Sequence, residues 1–369
     1  MRWVFLAVLV VHGLIHFMGF AKAFGFAELP QLTTPISRGM GVLWLVAGLA
    51  TLAAAAMLPL LPRWWWAAGF VALIASQIVI VSSWSDAKFG TLANVLLLLG
   101  AVHGFYSQGP TSLRAEYAAR VAAELARPPV EGLVSEADLA HLPEPVARYL
   151  RLTGSVGQPR VYNFRAKMRG RIRASASAPW MEIEASQVNR LGPDPSRVFF
   201  IEATMNHLPA DVLHVYAGPS ATMRVRLLSI FQIVEARGPE MDQSETVTLL
   251  NDLCIFAPAA LIDPALEWEP VDATRARVRY TNGQHTVSAE LVFDEAGQLV
   301  DFVSDDRYRS IDDGKRFELQ RWSTPISEYR AFGARRIGTR GEARYHAPAP
   351  EGEFSYLELE ILDVEYDLR

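Results

Sequence analysis

The first 110 residues constrain this chain more than any other feature, because long apolar runs follow one another there with almost no charge between them. A helix needs roughly 17–25 predominantly apolar residues to cross a bilayer, since lipid offers no partner to free backbone groups. Four segments meet that demand: about Trp3 to Phe20, Gly39 to Leu61, Trp64 to Trp84, and Gly90 to Tyr106. Aromatic residues at segment ends (Trp64-Trp65-Trp66, Trp84, Tyr106) suit the headgroup level. The links Pro62-Arg63 and Ser85 to Phe89 are short, so neighbouring spans run antiparallel. Gly41, Ala47, Gly48, Ala50 and Ala53 to Ala56 in the second segment permit close helix packing. The opening run, Arg2 through Ala21-Lys22-Ala23, has the order of a signal peptide, but its length, its two histidines and the three spans that follow favour an uncleaved span.

Charge divides the chain at the same place. Residues 1–110 hold five Lys/Arg and two acids, leaving 30 basic and 38 acidic residues of the chain's 35 and 40. This excludes a wholly soluble enzyme and a strongly basic nucleic-acid binder, and a lone Cys254 excludes a disulfide scaffold. Four spans put both ends of the bundle on one side. Arg2, Arg63, Arg114 and Arg120 lie on that side, against Lys22, Arg38 and Lys88 on the other. The positive-inside rule leans, by one residue, to a cell-membrane protein of bacterial type with its large domain in the cytoplasm.

The expected organisation is a four-span bundle over 1–106, an amphipathic helix and proline linker over 107–134, and a β-rich soluble domain over 135–369. In the linker, Leu113, Tyr117, Val121 and Leu125 recur every fourth residue, with Arg114, Arg120 and Arg127 off that stripe. Such a helix either lies on the membrane surface or packs on the domain that follows. Over 135–152, Ser135 and Asp138 form a capping signal, and Pro143 and Pro145 divide the segment into two short helices. From Arg160 the apolar period falls to two, and strand-like segments separated by turn residues recur to the C-terminal region. Asn282-Gly283 gives the strongest hairpin signal. A helix over 242–262, capped by Asp242 or Ser244, interrupts the strands. The fold class is therefore α+β: a membrane bundle, then an antiparallel half-barrel or curved sheet with one packed helix. Such a helix can close an apolar cavity, with Leu249, Leu250, Leu253 and Phe256 as lid residues.

Several phrases together resemble an uncharacterised bacterial membrane-protein family, one of the domains of unknown function. They are Val11-His12-Gly13-Leu14-Ile15-His16, Gly19 to Phe24, Met223-Arg224-Val225, Gly238-Pro239-Glu240-Met241-Asp242, Leu249-Leu250-Asn251-Asp252, Phe256-Ala257-Pro258, and the closing Tyr329 to Gly341 and Gly352 to Tyr366. The β-rich part is also similar to the LolA-like lipoprotein-carrier half-barrels, which hold acyl chains under a helical lid. The first resemblance implies no activity; the second implies a fold, which does not fix function.

Candidate chemistry is sparse. His12 and His16 share one helix face, and His103 lies in a span able to neighbour theirs. Intramembrane ionisable groups are costly. These three could ligate haem or a metal or relay protons, or simply hydrogen-bond other spans, with Gln77 and Asn94 as polar partners. Ser220 lacks a nucleophile elbow, Cys254 reads as a buried thiol, and His141, His207, His214, His285 and His346 show no metal-ligand spacing. The acid pairs Asp305-Asp306 and Asp312-Asp313 read as solvated turns. Arg165, Lys167, Arg169, Arg171 and Arg173 line one strand face, to pair with acids such as Glu182 and Glu184 or to meet anionic headgroups. No catalytic constellation emerges. Three readings stay open: a β-domain that binds or shuttles an apolar ligand, such as a lipid, beside the bilayer; a redox or proton-handling membrane protein; and a scaffold without a ligand.

Overall fold

The computed structural model describes residues 2–129, 132–311 and 314–368. The chain divides into two compact units, Met1–Glu116 and Tyr117–Arg369. The first is built from α1 (Arg2–Phe24), α2 (Arg38–Leu60), α3 (Trp65–Ser82), the short α4 (Trp84–Ala87) and α5 (Gly90–Gln108). Four helical stretches, starting at Arg2, Arg38, Trp65 and Gly90, are long and apolar enough to cross a membrane. Successive long helices pack in order, and α1 also touches α5. Three hydrogen bonds fix their antiparallel sense. Arg2 at the start of α1 donates to the Leu58 carbonyl near the end of α2, at 2.6 Å. At the opposite end, Asp86 accepts from Thr33 Oγ1 and the Thr34 amide, both at 2.7 Å, joining the two loops there.

Small residues let α1 and α2 approach closely. A Cβ added at Gly19 would fall 2.2 Å from the Trp44 ring, and one at Gly48 would lie 3.0 Å from the Gly13 carbonyl. Val11, Leu14 and Ile15 on α1 stay at least half exposed, as a lipid-facing surface requires.

The second unit carries most of α6 (Leu113–Leu125). Tyr117 of this helix packs its ring 5.6 Å from that of Phe200, on the domain that follows. A 3₁₀ turn over Glu136–Leu139 with the Ser135/Asp138 capping box precedes α7 (Glu144–Leu152), so the proline-split segment is two short helices. Then come β1 (Asn163–Ile172), β2 (Met181–Arg190), β3 (Ser196–Met205), β4 (Leu208–Ala217), β5 (Ser220–Leu227) and β6 (Phe231–Arg237). Helix α8 (Pro239–Phe256) follows, then β7 (Leu266–Pro270), β8 (Arg275–Asn282), β9 (His285–Phe293), β10 (Leu299–Ser304) and β11 (Tyr308–Ile311). The last strands are β12 (Arg316–Leu319), β13 (Arg321–Ser323), β14 (Ile326–Phe332), β15 (Arg335–His346) and β16 (Glu353–Tyr366).

Fourteen of these strands form one sheet in the order β6-β5-β4-β3-β2-β1-β16-β15-β13-β10-β9-β8-β7, with β14 on β15; β11 and β12 pair separately. The sheet is antiparallel and does not close. Helix α8 touches β5 and β6 at one edge, β9 and β10 near the other, and β15 between them, so the sheet must curve around it. Alternation along β1 sorts the two faces: Phe164, Ala166 and Met168 are buried, while Arg165, Arg169 and Arg171 point outward. Those arginines pair with Glu365, Glu360 and Glu358 of β16 at 3.2, 2.8 and 2.8 Å, while Glu184 and Glu182 of β2 stand opposite Arg169 and Arg171. The acids were expected on β2; most of the pairing comes from a strand nearly two hundred residues downstream. Asn282 pairs with His285 across the Gly283 turn, where φ is +59°.

The interrupting helix begins earlier and ends sooner than its sequence suggests. Gly238 occupies the N-cap and Pro239 the first turn, where a missing N–H costs nothing. Asp242, expected as cap, accepts from the Ala221 amide at 2.6 Å instead, and Ser244 donates to the Glu240 carbonyl at 2.7 Å. Beyond Phe256 the chain continues as a 3₁₀ turn over Pro258–Ile262. At the C-terminal end of α8, where helix carbonyls lack intrahelical partners, Tyr149 and Tyr366 hydroxyls donate to the Cys254 and Phe256 carbonyls at 2.9 and 2.7 Å.

Candidate functional site

A cavity of about 780 Å³ lies between the concave sheet face and α8. Its walls are largely apolar, with Met168, Phe199, Ile201, Met223, Val225 and Leu359 from the strands. Helix α8 presents Met241, Ser244, Glu245, Thr248, Asp252 and Ile255 to it, one stripe at helical spacing. The expected lid is thus mostly on the wrong face: Phe256 lines the cavity, whereas Leu249, Leu250 and Leu253 are buried in the core and do not. The apolar run marked the side of α8 that packs on protein, because a helix buried all round shows its strongest hydrophobic signal where no polar role intervenes.

The polar part of that stripe meets the sheet in a buried charged cluster. Asp252 Oδ2 accepts from Gln187, Asn189 and Arg197 at 2.7, 2.9 and 2.9 Å. Arg197 also reaches Glu245 at 3.2 Å and Gln187 Oε1 at 3.1 Å, with its guanidinium 4.5 Å from the Phe199 ring centre. Glu245 further accepts from Thr248 at 3.1 Å and stands 3.5 Å from Arg307 and 3.3 Å from His214. Arg307 in turn donates to the Ser244 carbonyl at 2.7 Å and to Thr248, and lies 4.7 Å from the Trp322 ring centre.

Burial sets the protonation of this cluster. It opposes ionisation of Glu245, but His214 when protonated, together with the permanent charges of Arg197 and Arg307, outweighs it and holds that carboxyl below its ordinary value. Burial dominates at Asp252 and pushes its carboxyl up, despite Arg197. Burial also lowers His214 to about 4, so the imidazole is neutral near pH 7. Cys254, buried in the same helix, has its thiol pushed up by burial, which makes it inert as a nucleophile.

The intramembrane histidines form a second polar centre. His16 Nδ1 faces the His12 carbonyl at 2.7 Å and therefore carries a proton. Its Nε2 lies 2.9 Å from Ser76 Oγ, and His12 Nε2 lies 3.0 Å from both Ser76 Oγ and Asn94 Oδ1. Asn94 donates to Gln77 at 2.9 Å, and Gln77 to Thr91 at 3.4 Å. Ser76 Oγ donates to Asn94 Oδ1 at 2.9 Å, which ties the serine and the asparagine together beside the two imidazoles. The two His Nε2 atoms converge on Ser76. Among the described residues no group of three His, Cys, Asp or Glu side chains comes together to hold a metal. His103 is not part of this chain: nine residues beyond Asn94 on α5, it sits about 13 Å further along the helix.

Of the other sequence candidates, Asp306 accepts from the Ser288 amide at 2.6 Å and Asp305 stands 3.7 Å from Arg321. Asp312 and Asp313 lie outside the described residues. His346 bonds Ser323 at 2.9 Å. The residues missed from sequence are Arg197, His214, Glu245, Asp252 and Arg307. One signal was present: Glu245 and Asp252, seven apart on α8, mark one face.

No curated protein matches this chain in sequence. Solved structures that resemble it do so weakly, two of them as follows. A domain assigned to outer-membrane lipoprotein sorting, from Vibrio parahaemolyticus, is 9% identical with a TM-score of 0.33, covering 56% of this chain and 85% of its own. A DUF1329 family protein from Desulfovibrio piger is 12% identical with a TM-score of 0.33, covering 61% and 92%. Residues 132–359, more than half of the chain, match the family of unknown function DUF6544, and the chain belongs to that family.

Proposed function

We propose that this is a membrane-anchored protein whose β-rich unit holds, and passes on, an apolar ligand of lipid type. The observation that carries the reading is the cavity of about 780 Å³ walled by Met168, Phe199, Ile201, Met223 and Val225. That size falls within the range of ligand sites. Each methylene moved there from water contributes about 0.8 kcal/mol, and an empty apolar void forfeits packing contacts. Four helices long and apolar enough to cross a membrane support an anchor where lipids are found. The Lys/Arg count around the spans supports a cytoplasmic position for the β-rich unit.

Native mass spectrometry of the full chain tests the reading. A stoichiometric lipid is expected on the wild type and is expected to be lost in Ala210→Trp, which fills the cavity from β4. A lipid-free wild type that takes up no added acyl chain overturns it. A C-terminal reporter active only in the periplasm would refute the cytoplasmic placement.

A further inference from the structure

The walls of the cavity are not uniform. Arg307 is among the lining residues with its side chain only 11% exposed, and its Nε is buried with no hydrogen-bond partner among the described residues. Tyr345 and Tyr356 line the same region with rings stacked 4.7 Å apart. Arg307 interacts electrostatically with Tyr345, and burial raises the Tyr345 pKa, so its own proton stays in place. The Tyr356 oxygen accepts from Trp322 Nε1 at 3.3 Å, which leaves its proton available. His214 Nε2 is likewise buried without a well-formed hydrogen bond.

The carboxylates nearby are already engaged. Glu245 is committed to Arg197, Thr248 and Arg307, and Arg309 is matched by Glu351 at 2.6 and 3.1 Å. The cavity wall around Arg307 therefore carries donors that no nearby carboxylate is free to meet, beside a guanidinium. A purely apolar occupant would leave those donors desolvated and unpaired, and a cationic head would sit against Arg307. Oxygen atoms bearing negative charge would satisfy them through charge-assisted bonds.

We infer that the ligand is an amphiphile whose apolar chain ends in an anionic oxygen-rich head, a carboxylate or a phosphate, seated against Arg307 and the Tyr345 and Tyr356 hydroxyls. This rests on the reading of the cavity as a lipid site and names the chemical class it selects.

Photo-crosslinking on the full chain in nanodiscs separates the two claims. The probes share a hexadecyl chain with a mid-chain diazirine and differ in the head: carboxylate, phosphate, alcohol or trimethylammonium. The carboxylate or the phosphate is expected to label peptides containing Met168, Phe199 and Met223 at least tenfold more than the alcohol and the ammonium. Whichever of the two labels more strongly identifies the head. Arg307→Gln is expected to reduce that labelling to the level of the alcohol. Should Arg307→Gln fail to fold, Tyr345→Phe keeps the charge and the ring, and is expected to narrow the ratio several-fold. Equal cavity labelling by all four heads, or a ratio unmoved by these variants, overturns the head-group inference and leaves the lipid site standing. Absence of cavity labelling by every probe overturns both.

Discussion

Both units bury polar groups among apolar ones, and they do it in opposite ways. In the membrane unit, His12, His16, Ser76, Gln77, Thr91 and Asn94 form a chain of neutral partners across three helices. In the β-rich unit, two arginines and two acids meet under α8, and two nitrogens there remain unpaired at a cavity wall. Lipid gives a charge no compensation, so an uncharged network is the affordable way to join spans. Inside a curved sheet, opposite charges can compensate one another, and the excess donors can wait for a ligand. The contrast points to structure in the first centre and recognition in the second.

The largest expected effect comes from unbalancing the charged centre. Arg197→Met leaves Glu245 and Asp252 buried with too little positive charge, and about 3–5 kcal/mol of stability should be lost. Hydrogen exchange over α8 measures it; unchanged protection would mean the cluster does not hold the helix. Second is pH. His214 is lowered from 6.5 to about 4 by burial, so the unfolded chain binds a proton that the fold refuses. Its contribution is therefore complete above about pH 6.5 and is lost progressively as pH falls toward 4, on the order of 2–3 kcal/mol. His214→Phe should flatten the stability profile across that window; an identical profile contradicts the assignment.

A smaller loss is expected in the membrane. Asn94→Leu removes the group bridging His12 to Gln77, and interhelical bonds in lipid average about 0.6 kcal/mol with a ceiling near 1.7. Unfolding of the full chain in mixed micelles should move by about 1–2 kcal/mol. A loss as large as that of Arg197→Met would erase the contrast between the centres. Least of all, Arg171→Gln on the exposed sheet face removes a solvent-screened pair with Glu358 and should change stability less than any variant above. A greater loss would mean that face is covered in the membrane-bound protein.

The elements were far more legible than the site. Spans declare themselves by uninterrupted length, and β1, β8 and β9 by alternation and the Asn282-Gly283 turn, all of which are local properties. His12, His16, Asn94 and Gln77 were readable because few polar groups occur in the spans; Ser76 escaped as an ordinary small residue. His103 was grouped with them only because adjacency of helices says nothing of depth along them. The cavity cluster draws on β2, β3, β4, α8 and the segment before β11, across more than a hundred residues, and no sequence window contains it. The Leu249, Leu250 and Leu253 run misdirected attention for a physical reason. The face of α8 that meets the cavity is the one carrying Glu245, Thr248 and Asp252, and polar residues lower the very signal by which a buried helix face is sought.

The most direct test of the central claim is an experimental structure of the full chain purified with its own lipids. Elongated density is expected along Met168, Phe199 and Ile201, ending within hydrogen-bond distance of Arg307. A cavity closed by inward-turned side chains, or holding only ordered water, would contradict it.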